Sequence, residues 1–241
     1  MDTVVPTMVA DLTDPRPDIP DQVRIPVPVG SRVIVTSDLL LGPEPSPAVV
    51  AARGALERAL GAWDGPGVLV VAGNLLDLAP TGPTGDHPSV TAALSGRAGL
   101  LGAMKGFAGN PGRRLIVIPG ERDAPLAADA GAAAELTAAL GAELAGAIEL
   151  EMETGAGTRR VEVVAGCDAG PHARSRAAAR ITGGCAGVVC GSARPELVHL
   201  GSGFLARTGT VGEVSEPHRT LPRLPPVELP RRVASWVEVE G

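Results

Sequence analysis

Apolar positions along the chain fall into two alternating patterns. Short runs with no polar interruption, Val33-Ile34-Val35, Val68-Leu69-Val70-Val71 and Leu115-Ile116-Val117-Ile118, have the length and β-branched content of strands buried on both faces. Between them the apolar residues recur at helical spacing. Val49, Val50, Leu56 and Leu60 predict a helix over 46–62, and a second helix runs from Ser89 to 107. Asn110-Pro111-Gly112 turns the chain into the third strand, 114–118, and an Ala-rich helix is predicted over 125–145. Strands at 147–153 and 159–165 follow, then a short arginine-bearing helix in 170–184 closed by Gly183-Gly184. The tail reads as strands at 186–190, 196–200 and 203–207, a Pro-rich loop at 221–230, and a last strand at 234–239.

Strand, loop, helix, strand in this rhythm predicts an α/β architecture with parallel neighbours and right-handed crossovers. In such sheets functional groups gather on the loops beyond the carboxyl ends of the strands. Three segments occupy those places: SDLLLG at 37–42, AGNLLDL at 72–78 and PGERDAP at 119–125. Residues 1–30, with prolines at 6, 15, 17, 20, 26 and 28, read as an extended arm holding at most one edge strand, and 31–241 as one domain. The chain stops within a strand pattern, as the front part of a longer protein would.

Composition narrows the function. Apolar residues are 44% of the 241, aromatics only 2%, so the core is built from Val, Leu, Ile and Ala. A net charge of −6, without a basic cluster interleaved with aromatics, argues against nucleic acid as a partner. No stretch reaches the roughly 18 uncharged apolar residues of a membrane span, and the acidic N-terminus lacks the features of a signal peptide. Cys167, Cys185 and Cys190 form no CxxC pair and read as thiols of a reducing compartment, so a cytoplasmic location is expected. Cys185 and Cys190 are expected to serve in the core rather than as a disulfide.

The three loops, with the tail segment CGSARPELVHLGSGFLARTGTVGEV at 190–214, resemble the calcineurin-like metallophosphoesterases. That family's pattern is D-x-H, G-D-x-x-D, G-N-H-D, a His after a later strand, and a closing G-H-x-H. The resemblance spans about residues 32–210 and implies a four-layer α/β/β/α sandwich with two facing mixed sheets. In such a site two divalent metals, about 3.5–4 Å apart, clamp phosphate oxygens and activate a bound water.

Carried over residue by residue, the resemblance keeps the frame and loses the ligands. Asp38 matches the first ligand, but Leu40 stands where the motif has His. Asn74 replaces the bridging carboxylate, while Asp77 is retained. Glu121 replaces a ligand Asn, Arg122 the catalytic His, and Asp123 is kept. Cys167, Ser192 and Arg194 occupy further imidazole positions, and Arg207 stands where Asn is common. His87, His172, His199 and His218 lie outside the motif positions. Leucine cannot coordinate a metal, and a neutral amide cannot supply the charge that holds two dications together.

Two readings follow for the remaining oxygens. Asp38, Asn74 and Glu121 could hold one hard cation, weak Mg²⁺ or Mn²⁺, or they cap loops and helix starts. Arg122, Arg194 and Arg207 would converge where the metals sit in the family, either pairing with Asp38 and Glu121 or forming an anion pocket. The expectation is a catalytically inactive or strongly impaired homologue acting in binding, regulation or as a scaffold, with no resident cofactor. Its partner would be a protein or a phosphate-bearing small molecule. The alternative is an active phosphoester hydrolase with a reduced, single-metal site.

Overall fold

A computed structural model of the protein describes residues 17–42, 47–80, 87–95, 98–155, 157–166, 171–191, 195–200, 203–208 and 236–240. Eleven strands form two sheets among these residues. Sheet B is built on β2 (Arg32–Thr36), β3 (Gly67–Ala72) and β4 (Arg113–Ile118), mutually parallel, as the uninterrupted apolar runs predict. Short β5 (Glu143–Leu144) extends it on one edge, and β11 (Trp236–Glu240) pairs antiparallel with β2 on the other. Sheet A runs in the order β1 (Val23–Val27), β6 (Ala147–Thr154), β7 (Gly157–Val164), β8 (Gly187–Cys190), β10 (Gly203–Thr208), β9 (Pro195–Leu200). The single strand expected within the N-terminal arm is β1, at the edge of this sheet, with Ile25 and Val27 in the core.

Alternation along each strand sorts the side chains into layers. Val33, Val35, Val68, Val70, Ile116 and Ile118 of sheet B face Ile25, Val27, Ile148, Leu150, Val161, Val163, Val189, Phe204 and Ala206 of sheet A in one inter-sheet core. The other face of sheet B, Ile34, Leu69, Val71, Leu115 and Val117, packs against α1 (Pro47–Gly61), α2 (Val90–Leu94), α3 (Ala98–Ala108) and α5 (Ala130–Leu140). On the outer side of sheet A, α6 (Pro171–Thr182) covers Val188, Cys190 and Leu205. The result is the four-layer α/β/β/α sandwich.

Two expected helices are each divided in two. The first ends as α2 at Leu94, with Ser89 capping its start and Ser95 its end, before α3 begins at Ala98. The second consists of α4 (Pro125–Ala128) and α5, because Asp129 leaves the helical region and caps α5 through Gly131 N–H. Gly141, in the left-handed region at φ 69°, stops α5 and frees 143–144 to join the sheet.

Candidate functional site

The loops after β2 and β3 continue side by side beyond their strands. Asp38 N–H donates to Gly73 O (3.0 Å), Leu40 N–H to Asn74 O (2.9 Å), Leu41 N–H to Leu75 O (2.8 Å), and Asp77 N–H returns to Leu41 O (2.9 Å). This double loop requires left-handed backbone at Asp38 (φ 54°), Leu40 (φ 46°) and Asn74 (φ 56°). Asn and Asp tolerate that region far better than Leu, so Leu40 marks the point of greatest local strain. Arg53 of α1, almost fully buried, holds the loop from beneath. Its Nε and Nη2 both donate to Leu39 O (3.0 and 2.7 Å), and Nη2 also reaches Leu40 O.

The third loop is tied to this pair by Asp123, which has no exposed surface. One carboxylate oxygen accepts from Gly120 N–H and Asn74 N–H (3.3 Å); the other accepts from Leu75 N–H (2.7 Å) and Leu76 N–H (3.3 Å). Burial pushes the Asp123 carboxyl above the usual range against the downward pull of these four donors. Gly120 must lack a side chain here, because a Cβ would sit 2.5 Å from Asn74 Oδ1.

Asn74 is the joint of the three loops. Its Oδ1 accepts from Arg122 N–H (2.9 Å) and its Nδ2 donates to Asp38 Oδ1 (2.7 Å). A backbone N–H can only donate, so the amide orientation is fixed: oxygen toward Arg122, nitrogen toward Asp38. The second oxygen of Asp38 accepts from Ser37 Oγ (2.7 Å), and Ser37 Oγ also meets Thr208 Oγ1 of sheet A at 2.7 Å. Asp38, nearly buried, is thus held by neutral donors on both oxygens. Sheet A closes on this site through backbone: a Cβ on Gly191 would lie 1.9 Å from Ala72 O.

The expected site residues divide clearly. Asp38, Asn74 and Asp123 converge. Glu121 is exposed at the mouth. Arg122 contributes its backbone to Asn74 while its half-exposed guanidinium lies 3.4 Å from Asp77 rather than meeting Asp38 or Glu121. Arg207 does not face the loops: it alternates with Thr208 along β10 and lies on the α6 side with Leu205 and Cys190. Cys167, Ser192, Arg194 and His218 lie outside the described residues, as do the side chains of His172 and His199. His87 is exposed, its Nδ1 2.8 Å from Leu78 O. Cys185 is free, and Cys190, fully buried, packs with Val188 and Leu205 under α6, the core role expected of it.

Sequence reasoning missed Arg53, Ser37 and Thr208. Arg53 had a signal, since it falls on the same helical stripe as Val49, Leu56 and Leu60. As a metal cradle the described donors are poor: Asn74 uses both ends of its amide within the protein, and Leu40 offers no donor. Among the described residues no group of three His, Cys, Asp or Glu is placed to hold a metal ion.

The molecule is therefore an α/β/β/α sandwich with a polar, loop-built site at the carboxyl ends of its strands. No protein-family model and no curated protein matches the sequence. Solved structures with a similar course include a predicted phosphoesterase from Streptococcus pneumoniae (15% identity, 79% of this chain and 77% of that chain, TM-score 0.35). They also include Vps29 from Entamoeba histolytica, solved with zinc (11%, 74% and 74%, TM-score 0.41), and Pseudomonas putida nuclease MPE (14%, 80% and 82%, TM-score 0.36). At these TM-scores the likenesses carry nothing about chemistry. No helix among the described residues is long and apolar enough to cross a membrane.

Proposed function

We propose that this protein is a metallophosphoesterase homologue without catalytic turnover, or strongly impaired in it, which serves in the cytoplasm in binding, regulation or as a scaffold. The observation that carries the reading is the Asn74 joint. The amide gives its N–H to Asp38 and takes one from the Arg122 backbone, so the loops are drawn together by neutral hydrogen bonds. Two dications at close range need a bridging negative charge that an amide cannot provide. The described donors do not fit a metal pair.

The exposed Arg122, with Asp77 and Glu121 around the mouth, is the group that would meet a carboxylate of a protein partner or a phosphate-bearing small molecule. The test offers the purified protein Mn²⁺ or Mg²⁺, measures bound metal, and follows hydrolysis of a chromogenic phosphodiester by wild type and Asp38→Ala. The expected result is no stoichiometric metal and no turnover. Metal-dependent turnover that disappears in Asp38→Ala overturns the reading. A thermal shift with inorganic phosphate, present in wild type and absent in Arg122→Ala, would favour the anion-binding form over the protein-binding one.

A further inference from the structure

His87 stands beside the loop site and has no part in the hydrogen bonds that build it. The residue is exposed, and its Nδ1 lies 2.8 Å from Leu78 O. A carbonyl oxygen can only accept, so Nδ1 carries the proton and donates it. In the neutral ring the lone pair is therefore on Nε2, on the side away from Leu78. Among the described residues no group bonds to Nε2.

Leu78 ties this ring to the mouth of the site. Its N–H donates to Arg122 O at 3.0 Å while its O accepts from His87, which keeps His87 Nδ1 within about 9 Å of Arg122 O. Leu76 and Leu78 are buried, and Asp77 between them turns outward, 3.4 Å from the Arg122 guanidinium. The charged groups on the segments that meet here are Asp77, Glu121 and Arg122, none of them buried, and Asp123, which has no exposed surface. On α5, Glu135 accepts from Thr91, four residues beyond His87. Asp86 lies outside the described residues. Asp77 and Glu121 outweigh Arg122 at the mouth by one negative charge while His87 is neutral, and an imidazolium at His87 brings that sum to zero. An approaching anion is thus opposed in the first state and not in the second.

We propose that His87 is a pH-responsive arm of this mouth, which admits an anion at Arg122 more readily when its ring is protonated. The proposal rests on the anion-binding form of the function given above. Imidazole changes charge between about pH 5 and 8. Protonation leaves the Nδ1 bond to Leu78 O in place and turns Nε2 from an acceptor into a second donor, so the arm gains both charge and a hydrogen bond to offer without moving.

Calorimetric titration of the full chain with sulfate, whose charge is constant over this range, tests it at about pH 5.5 and 7.5 and low ionic strength, for wild type, His87→Gln and Arg122→Ala. Wild type should bind sulfate about two- to threefold more tightly at the lower pH, the effect of one unit charge about 9 Å away in a solvated setting. His87→Gln should lose this difference, and Arg122→Ala should weaken binding at both pH values. Long-range ¹H–¹⁵N spectra should place the proton of the neutral ring on Nδ1. Binding without the pH difference, a difference that persists in His87→Gln, or a proton found on Nε2 overturns the role of His87 and leaves the anion-binding reading standing. Absence of sulfate binding by wild type at both pH values overturns the two together.

Discussion

Replacing Asp123 by Asn should unfasten the loop site without changing side-chain size. The carboxylate accepts two backbone N–H groups on each oxygen: Gly120 and Asn74 on one, Leu75 and Leu76 on the other. An amide can present its oxygen to one pair only and must turn its NH₂ toward the other, leaving two buried N–H donors facing a donor. A buried unsatisfied donor costs about 1–3 kcal/mol, so the loss for two should lie at about 2–6 kcal/mol, a large part of a typical domain's stability. Urea unfolding followed by circular dichroism measures it. A change below about 1 kcal/mol would mean that the clamp does not hold the loops, and the reasoning fails. The pH dependence has a definite sign. Since the folded-state carboxyl lies above its unfolded value, the folded chain binds more protons than the unfolded one between those two values. Stability attributable to Asp123 therefore falls as pH rises through that window. Asp123→Asn should abolish this component of the slope, and an unaltered slope would show that another group carries it.

Three further outcomes follow from the geometry. Gly191→Ala would drive a Cβ into Ala72 O at 1.9 Å; a destabilisation of about 3 kcal/mol or more is expected, beyond ordinary overpacking, and a Tm within a degree or two of wild type would refute the close approach. Arg114→Ala, despite a two-pronged pair with Glu143 at 2.6 and 2.8 Å, should cost less than about 1 kcal/mol because the pair is solvent-exposed; a double-mutant cycle in urea checks it. Burial, then the nearby Glu162, pushes the Cys185 thiol up, so its reaction with a thiol reagent should be slower than that of an ordinary cysteine at neutral pH and should continue to accelerate above the usual thiol range. Loss of the signal in Cys185→Ser assigns it.

The three central strands of sheet B were legible because Val33–Val35, Val68–Val71 and Leu115–Ile118 are buried on both faces and leave no other period, whereas β5 fell inside the helix predicted over 125–145. Helix boundaries were less so: the break at Asp129 depends on a cap that competes with a run of alanines, and local hydrogen bonding decides it. The meeting of Asp38 and Asn74 was readable from loop positions, but the third oxygen expected beside them, Glu121, is exposed, and buried Asp123 ties the loops instead. What was not readable is how Asn74 is used, since a side chain's partners follow from three loops meeting in space. Arg207 was misplaced for a related reason. A one-residue difference in register turns a strand residue to the opposite face, and only the pairing of β10 with β8 shows that Thr208 is the residue aimed at the loops.

The fixed orientation of the Asn74 amide has an evolutionary consequence. Exchanging its nitrogen for oxygen, the smallest possible change, would set two carboxylates at the 2.7 Å now spanned by a hydrogen bond, while Arg122 N–H would notice nothing. Such a chain would be destabilised unless a cation arrived with the substitution. Passage between an Asn and an Asp lineage at this position is therefore gated by changes elsewhere in the loops, and the joint acts as a ratchet on the history of the site.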